Sequence, residues 1–562
     1  MKCRVPAKVQ PLAPSPQHLS GEPLSPDPRP QSLVPSPQFL PLSRRSVLGG
    51  LVAGAALAAS RRVFGQAPGV AMGAGARPVV TDGVACTLAG DDAAVVWARA
   101  DRPARMVVEY ATSARFTNAR RVVGPAALES SDFTARVHLA ELPRGQRLFY
   151  RVLFQDLADV RRWSEPSSVG QLTTAPAPGA RNVSLVFSAD TVGQGWGLDP
   201  AHDGMRTYAS MLGTEPDLFV NLGDAIYADA PVVAEVTLDD GTVWRNLTSA
   251  AKSKVAETLD EYRGAYRYNL QDAHMRRFNA LVPQLTVWDD HEVRDNWFPE
   301  RRQDDDARYV VKSVALLAAR ARQACIEYTP LPIDGTDPER LYRSVRYGPL
   351  EVFLLDHRSY RGSNSENLQA VASDASALLG ATQVAWLKRA LVASTARWKI
   401  MASSLPLGLV VRDFPSHFEA VANGESGAPL GRELEIADLL RFMRDEQIDN
   451  VVWITGDVHY AAAHHYDPAR ARFTEFDPFW EFVAGPLHAG TFGPNALDAT
   501  FGPEVRFLGI PPGMKPNRPP SEGFQFFGRL EVEAKTEALR ASLHNRDGRE
   551  LYTITLPPSR RR

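Results

Sequence analysis

The sequence predicts an α/β protein in which mixed β-sheets are sandwiched by helices (an αββα arrangement), preceded by a small all-β sandwich domain. Three observations carry that expectation. Short runs alternating between apolar and polar residues fill the stretch from about Pro78 to Thr174. Beyond Arg181, continuous apolar runs such as VSLVFSAD and NVVWITGD alternate with helical stretches. Between the two textures lies a Pro/Ala/Gly connector, TTAPAPGAR, at Thr173–Arg181. Period-two alternation marks strands with one covered face, whereas unbroken apolar runs mark strands covered on both.

Taken in order, residues 1–66 read as an address rather than a domain. Eleven prolines in the first 42 residues exclude regular structure there. A twin arginine follows in SRRSVLGG (Ser43–Gly50), and the 13 residues VLGGLVAGAALAA come next. That run suits the core of an export signal and falls short of the ~20 apolar residues that span a bilayer. Cleavage is expected at Ala56-Leu57-Ala58 or near Gln66. These features predict twin-arginine export, with the export machinery as partner, no stable transmembrane anchor, and a periplasmic or extracellular location.

Residues 78–175 form the expected sandwich, fibronectin III-like in its rhythm, with strands in AAVVWARA, ARMVVEYA, DFTARVHLAEL and LFYRVLFQD. Residues 182–556 form the larger domain. Its helices are expected at Thr258–Leu281, Val314–Glu327 and Glu433–Glu446. The chain ends in alternating strands with a hairpin turn at Asp547-Gly548.

With 562 residues, 44% hydrophobic and 23% charged, the chain has room for two or three globular domains. Its net charge of −2 is uneven: the first 66 residues carry eight Lys/Arg against two Asp/Glu, which leaves −8 on the rest. A mildly acidic body argues against nucleic-acid binding by bulk charge. Only Cys3, Cys86 and Cys325 are present, so a thiolate metal site is not expected. One long-range disulfide between Cys86 and Cys325 is left open.

Four apolar strands end on groups of the same kind. VSLVFSAD closes on Asp190, DLFVNLGDAIY on Gly223-Asp224 with Tyr227 after it, LTVWDDHE on Asp289-Asp290-His291, and VVWITGDVH on Asp457 and His459. Singly, each has an ordinary explanation as a turn, a helix cap, a solvated loop or a strand-end pair. Ligands, however, collect beyond the carboxyl ends of strands joined by crossovers. Carboxylates gathered there would repel one another and raise each other's pKa, a conflict that polyvalent cations remove.

This set resembles the calcineurin-like metallophosphoesterases, and within them the alkaline phosphatase D (PhoD) type, which also carries an N-terminal β-sandwich and a twin-arginine signal. GVACTLAGDDAAVVWARA, LLDHRSYRG, QVAWLKRAL and EFVAGPLHAGTF support the likeness, which runs from about Pro78 onward. Two departures stand out. Ser188-Ala189-Asp190 replaces a cysteine-bearing Ser-Cys-Gln; Asp290-His291 and Asp457-Val458-His459 replace the superfamily's Asn-His and His-x-His. Each exchange places a hard anionic oxygen at a metal position.

The resemblance implies a metal-dependent phosphatase that hydrolyses phosphomonoesters, and also phosphodiesters, through a metal-activated hydroxide at a dinuclear centre. One ion would be held by Asp190, Asp224, Tyr227 and His459. A second would share Asp224 and add Asp290 and Asp457. Phenolate and carboxylate ligands suit Fe3+ in the first site, and all-oxygen ligation suits Ca2+ or another hard divalent ion in the second. His291 takes the place of the general acid, with Asn296, Arg358 and His488 as candidates for contact with the phosphate or its pocket. His464 and His465 are expected at the surface. Two other readings stay open: a phosphodiesterase or phospholipase D-like hydrolase, and a noncatalytic, calcium-stabilised binding protein.

Overall fold

Alternating β-branched and aromatic residues build the N-terminal strands. In the computed structural model, which describes residues 76–559, these are β1 (Val80–Gly90), β2 (Ala93–Ala100), β3 (Ala104–Ala111), β4 (Arg120–Ala127), β5 (Thr134–Leu139), β6 (Arg147–Asp156) and β7 (Gly170–Thr173). They form two antiparallel sheets, ordered β1-β2-β5 and β4-β3-β6-β7. Val96 and Ala98 of one sheet meet Met106, Val108, Tyr150 and Val152 of the other in a shared core. The leader and twin-arginine signal expected over 1–66 lie outside the described residues.

The larger region adds β8 (Val183–Ser188), β9 (Leu218–Leu222), the small hairpin β10 (Glu235–Thr237) and β11 (Val243–Arg245), β12 (Gln284–Val287), β13 (Arg343–Tyr347), β14 (Leu350–Leu354) and β15 (Trp398–Ala402). A second small hairpin, β16 (Arg412–Phe414) and β17 (His417–Phe418), precedes β18 (Val451–Thr455), β19 (Ala462–Tyr466), β20 (Phe479–Val483), β21 (Pro503–Leu508), β22 (Phe526–Val532), β23 (Leu539–Asn545) and β24 (Glu550–Leu556). Two large mixed sheets result, ordered β12-β9-β8-β22-β23-β24 and β13-β14-β15-β18-β20-β19-β21. In the first, β8, β9 and β12 are parallel; in the second, β14, β15, β18 and β20 are.

Side-chain alternation makes the layers. Leu185 and Phe187 of β8 join Val352, Ile400, Val452 and Ile454 of the other sheet in one core. The intervening residues face outward onto helices. Val186 and Phe219 pack with Tyr208 and Met211 of α1 (Arg206–Gly213). On the opposite side Phe353, Met401 and Trp453 pack with residues of two later helices, including Leu387, Leu391, Leu439 and Leu440. The central strands β8, β9 and β18 are therefore buried on both faces, which is why their runs are unbroken in sequence.

The stretch expected to be one helix over Thr258–Leu281 is two, α2 (Leu259–Asn269) and α3 (Ala273–Leu281). Thr258 and Glu261 form a capping box at the first, and Asp272 accepts the Met275 N–H to cap the second. That cap gives the backbone a better partner than continuation of the helix would. Three further helices follow: α4 (Val314–Tyr328), α5 (Gly380–Ala393) and α6 (Glu433–Asp445).

Cys86 and Cys325 are separate, buried free thiols, so no disulfide joins them. His464 is not a surface residue either. β19 is flanked by β20 and β21 rather than standing at an edge, and His464 and Tyr466, two residues apart on one face, both reach the buried Glu481 carboxylate. His465, on the other face, is half-buried.

The sandwich is clamped to the helical side of the larger region. The Trp97 indole N–H donates to the Glu327 carbonyl (2.7 Å), and Arg136 Nε donates to the Thr329 carbonyl (3.0 Å). Asp132 receives Arg99 (2.9 Å), Arg267 and the Tyr328 hydroxyl. Burial alone would raise the Asp132 pKa, but hydrogen bonds from Arg99 and Tyr328 hold it below its usual range.

Candidate metal centre

The parallel strands of both large sheets deliver their carboxyl ends to one place. A Cβ added to Gly456, just beyond β18, would lie 2.6 Å from the Cβ of Ala189, just beyond β8, so the two strand ends touch across the sheets. Asp190, Asp224, Asp457 and His459 all adopt positive φ, between 50° and 69°. Residues that are not glycine rarely enter this region, although Asp and His tolerate it better than most. Four such residues together mark turns held by their surroundings so that side chains point back over the strand ends.

Those side chains converge. The Tyr227 hydroxyl lies 2.9 Å from His459 Nε2 and 3.5 Å from Asp190 Oδ1, and His459 Nε2 lies 3.4 Å from that same oxygen. Candidate ligand atoms of Asp190, Asp224 and His459 fall within 4.8 Å of one another, as do those of Asp224, Asp290 and His291, and those of Asp289, Asp290 and Asp457. Asp224 belongs to the first two groups and Asp290 to the last two, so the cluster is continuous. His459 Nδ1 sits 2.5 Å from the Gly490 carbonyl, which places its proton there and leaves Nε2 as a donor lone pair facing the carboxylates.

The donor set fits cations. Asp190 Oδ2 and Asp290 Oδ1 are buried with no hydrogen-bond partner, and buried carboxylate oxygens are rarely left so. Burial and neighbouring carboxylates together push Asp190, Asp224 and Asp457 well above the ordinary Asp range. Asp290 goes the other way: burial opposes it, but His291 and Arg358 hold its pKa low. Gly485 is required for space, because a Cβ there would stand 2.1 Å from Asp190 Oδ2.

Three residues complete the centre that the sequence reading did not assign. Asp229, five positions after Asp224 on the same loop, sits 2.7 Å from His291 Nδ1 and also accepts the Asp295 N–H (2.8 Å). This pins the imidazole, which stacks on Tyr227 at 4.2 Å. Burial would lower the His291 pKa, but Asp229 and Asp290 raise it well above the ordinary value. Glu292 accepts the main-chain N–H groups of Ala225 (2.6 Å), Asp289 (2.8 Å) and Asp224 (3.2 Å), tying the loop after β9 to the loop after β12. Asp289 accepts Arg358 Nε and the Ser404 hydroxyl. A carboxylate directly beside Asp290, and a Glu two residues beyond it, were the signals available for two of these.

The three suggested phosphate contacts fare differently. Asn296 stands at the half-exposed rim, and its N–H donates to Asp290 Oδ2 (2.6 Å). Arg358 does not reach outward: it is fully buried and is occupied by Asp289, by Glu419 and, at 3.7 Å, by Asp290. A guanidinium in such a cage braces carboxylates instead of meeting substrate. His488 turns its Nε2 to the Gly197 carbonyl (3.0 Å) and packs near Trp244, while its main-chain N–H supports the Asp190 carbonyl (3.1 Å). Burial pushes its pKa down to about 4.

The model of the PhoD-like phosphatase domain matches residues 185–543, and that of the PhoD-like phosphatase N-terminal domain matches residues 66–176. The chain belongs to the PhoD-like phosphatase family. It is 32% identical to alkaline phosphatase D of Bacillus subtilis over 347 residues, which are 58% of this chain and 55% of that protein. The match thus spans about half the length of the curated relative. A solved structure of PhoD superposes with a TM-score of 0.63 at 22% identity, covering 87% of this chain and 94% of the other. A purple acid phosphatase from yellow lupin (Lupinus luteus) seeds superposes with a TM-score of 0.52 at 12% identity, covering 86% and 74%. At these identities the structural likeness speaks for the fold: mixed sheets with helices on their outer faces behind an N-terminal all-β region. Among the described residues no helix is long and apolar enough to cross a membrane.

Proposed function

We propose that this PhoD-like chain is an exported, metal-dependent phosphatase that hydrolyses phosphomonoesters and accepts phosphodiesters. The observation that carries the reading is the meeting of Asp190, Asp224, Tyr227, Asp290, Asp457 and His459 at the strand ends, with two buried carboxylate oxygens lacking partners. The activity named for the alkaline phosphatase D relative and the twin arginine at Arg44-Arg45 support it.

Asp190, Asp224, Tyr227 and His459 would hold Fe3+, and Asp224, Asp290 and Asp457 would hold Ca2+ or another hard divalent ion. Such a pair, when bound, supplies an activated water and neutralises charge on the phosphoryl oxygens. The chain's own residues do the rest. Asp229 fixes the His291 ring through Nδ1, which leaves Nε2 free to give a proton to the departing alkoxide. Asn296 keeps Asp290 in place through its N–H, while its side-chain amide donates to Asp413 Oδ1 (3.3 Å).

Elemental analysis of the purified protein, read with its visible spectrum, tests the metal assignment. Iron bound by Tyr227 should give a tyrosinate charge-transfer band that is lost in Tyr227→Phe. Full activity in a colourless, iron-free protein would refute the iron site. Rates on an aryl phosphate and an aryl bis-phosphoester, measured on one preparation, rank the two activities; no turnover of either would refute the enzymatic reading.

A further inference from the structure

Part of the rim of the metal centre is an arc of apolar side chains whose two ends are tied to proposed ligands. At one end stands Phe492. The segment from Gly490 to Phe492 wraps His459. The Gly490 carbonyl meets Nδ1 (2.5 Å), and the Phe492 N–H donates to the His459 carbonyl (3.3 Å). The Phe492 ring stands edge-on to the imidazole, with 5.4 Å between centroids. Thr491 pairs with Arg518 in an extended bridge, and its hydroxyl donates inward to the Phe524 carbonyl (2.8 Å). Alternation therefore sends Phe492 to the other side, where it is only half-buried against His459.

The other end is Phe414, which closes β16 and is 48% exposed. Asp413, just before it, accepts the Asn296 side-chain amide (3.3 Å), and the Asn296 main-chain N–H holds Asp290. Hydrogen bonds join the two ends. Asn495 Nδ2 donates to the Val410 carbonyl (3.0 Å), and the Val410 N–H donates to the Ala496 carbonyl (2.9 Å). Val411 and Leu497 on these segments are partly exposed. The charged side chains of the arc are already engaged. Asp413 is met by Arg301 (3.2 Å) and Asn364 (3.0 Å), and Arg412 by the Pro415 carbonyl (2.9 Å) and the Phe418 ring (4.8 Å). Gln194, His291 and Asp295, the partly exposed neighbours on the loops after β8 and β12, are polar by contrast.

We propose that Phe492 and Phe414 form the subsite for the organic group of the ester, and that this group is aromatic. The proposal rests on the phosphatase reading above and adds the substrate class to it. A phosphoryl group drawn to the carboxylate centre leaves its ester carbon to lie over the rim. The polar loops have no apolar surface to offer that carbon, whereas the arc has it. A phenyl at each end of the arc can meet a planar ring edge to face or offset-stacked. Phe492 carries the larger share because it touches His459 directly, whereas Phe414 is reached through Asp413 and Asn296. Both residues set specificity, and neither takes part in proton transfer.

The test uses the full-length, metal-loaded protein and two non-hydrolysable probes, phenylphosphonate and methylphosphonate, with binding read by calorimetry. The phenyl compound should bind about tenfold more tightly to the wild type. That ratio should fall to about one in Phe492→Ala and by about twofold in Phe414→Ala. The preference in kcat/KM for phenyl over methyl phosphate should fall in step. If Phe492→Ala sheds metal or does not fold, Phe492→Leu, which keeps an apolar wall against His459, and Phe414→Ala decide, and the ratio should drop in both. Equal binding of the two phosphonates by the wild type, or a ratio that survives in Phe492→Leu and Phe414→Ala, would overturn this proposal alone. Wild-type protein that binds neither probe and hydrolyses neither ester would refute the phosphatase reading, and the proposal with it.

Discussion

Asp132 and Asp190 are the same residue type, the first half-buried and the second fully buried, and they behave in opposite ways. Asp132, at the seam of the sandwich, has its oxygens met by Arg99, Arg267 and Tyr328, and its pKa is held low. Asp190, beyond β8, sits among other carboxylates with Oδ2 unpartnered, and its pKa is driven up. The protein completes the first carboxylate from its own side chains and leaves the second to be completed by something else. Burial alone does not mark a site. What marks it is burial with the account of partners left open.

The comparison breaks most sharply at His291, which the chain itself pairs with Asp229. His291→Ala should lower kcat by about 10²–10⁴-fold while both metals are retained by elemental analysis. An unchanged rate would remove it from proton transfer. Asp229→Asn keeps the shape of the His291 contact and removes its charge. A loss of about 10–100-fold is expected, with metal content unaltered, because the ring is then less firmly oriented. A loss as large as that of His291→Ala would instead give Asp229 a direct part in the reaction.

At the closed carboxylate the effect should appear in stability and not in activity. Asp132→Asn removes one anion from Arg99, which keeps Asp82 at 3.1 Å, and from Arg267, which keeps Asp260 at 3.5 Å, and should cost about 1–2 kcal/mol of unfolding free energy, with kcat/KM unchanged. The pH dependence follows from the direction of the shift. The folded pKa of Asp132 lies below its unfolded value of about 3.9, so the stabilisation is fully present above that pH and fades as pH falls through the folded pKa. Urea midpoints of wild type and variant should therefore differ at pH 7 and draw together below about pH 4. A constant gap across that range would show that the charge of Asp132 is not what holds the seam.

Much of the candidate centre was legible because its elements announce themselves locally. A buried strand that stops on Asp457 or Asp190 has no packing reason to do so, and the same anomaly at four strands points to one place. Asp229 was harder to see, since its role exists only when the loop after β9 folds back against the end of β12. Arg358 reads in sequence as any loop arginine would, and only the surrounding Asp289, Glu419 and Asp290 turn it from a substrate contact into a brace. The break at Asp272 was readable as a capping signal, but helical periodicity runs through it and masked the cap. His464 was misplaced because neighbours on both sides of β19 come from strands far along the chain, which no local pattern reports.

The two thiols offer the mildest test of the same contrast, since they are buried groups that ask for nothing. Cys86 lies on β1 with its Sγ 3.8 Å from the Gln171 carbonyl, and Cys325 lies inside α4 among apolar neighbours. Burial pushes their pKa values up to about 12 and about 11, so neither carries an appreciable thiolate fraction at neutral pH. The thiolate is the reactive form, and access is blocked as well. Native protein treated with iodoacetamide at pH 8 should therefore show no alkylation at either position by peptide mapping, with activity unaffected, whereas both should label fully in urea. Rapid labelling of Cys325 in the native state would mean that α4 opens away from the sheet, and with it the seam that Asp132 is argued to close.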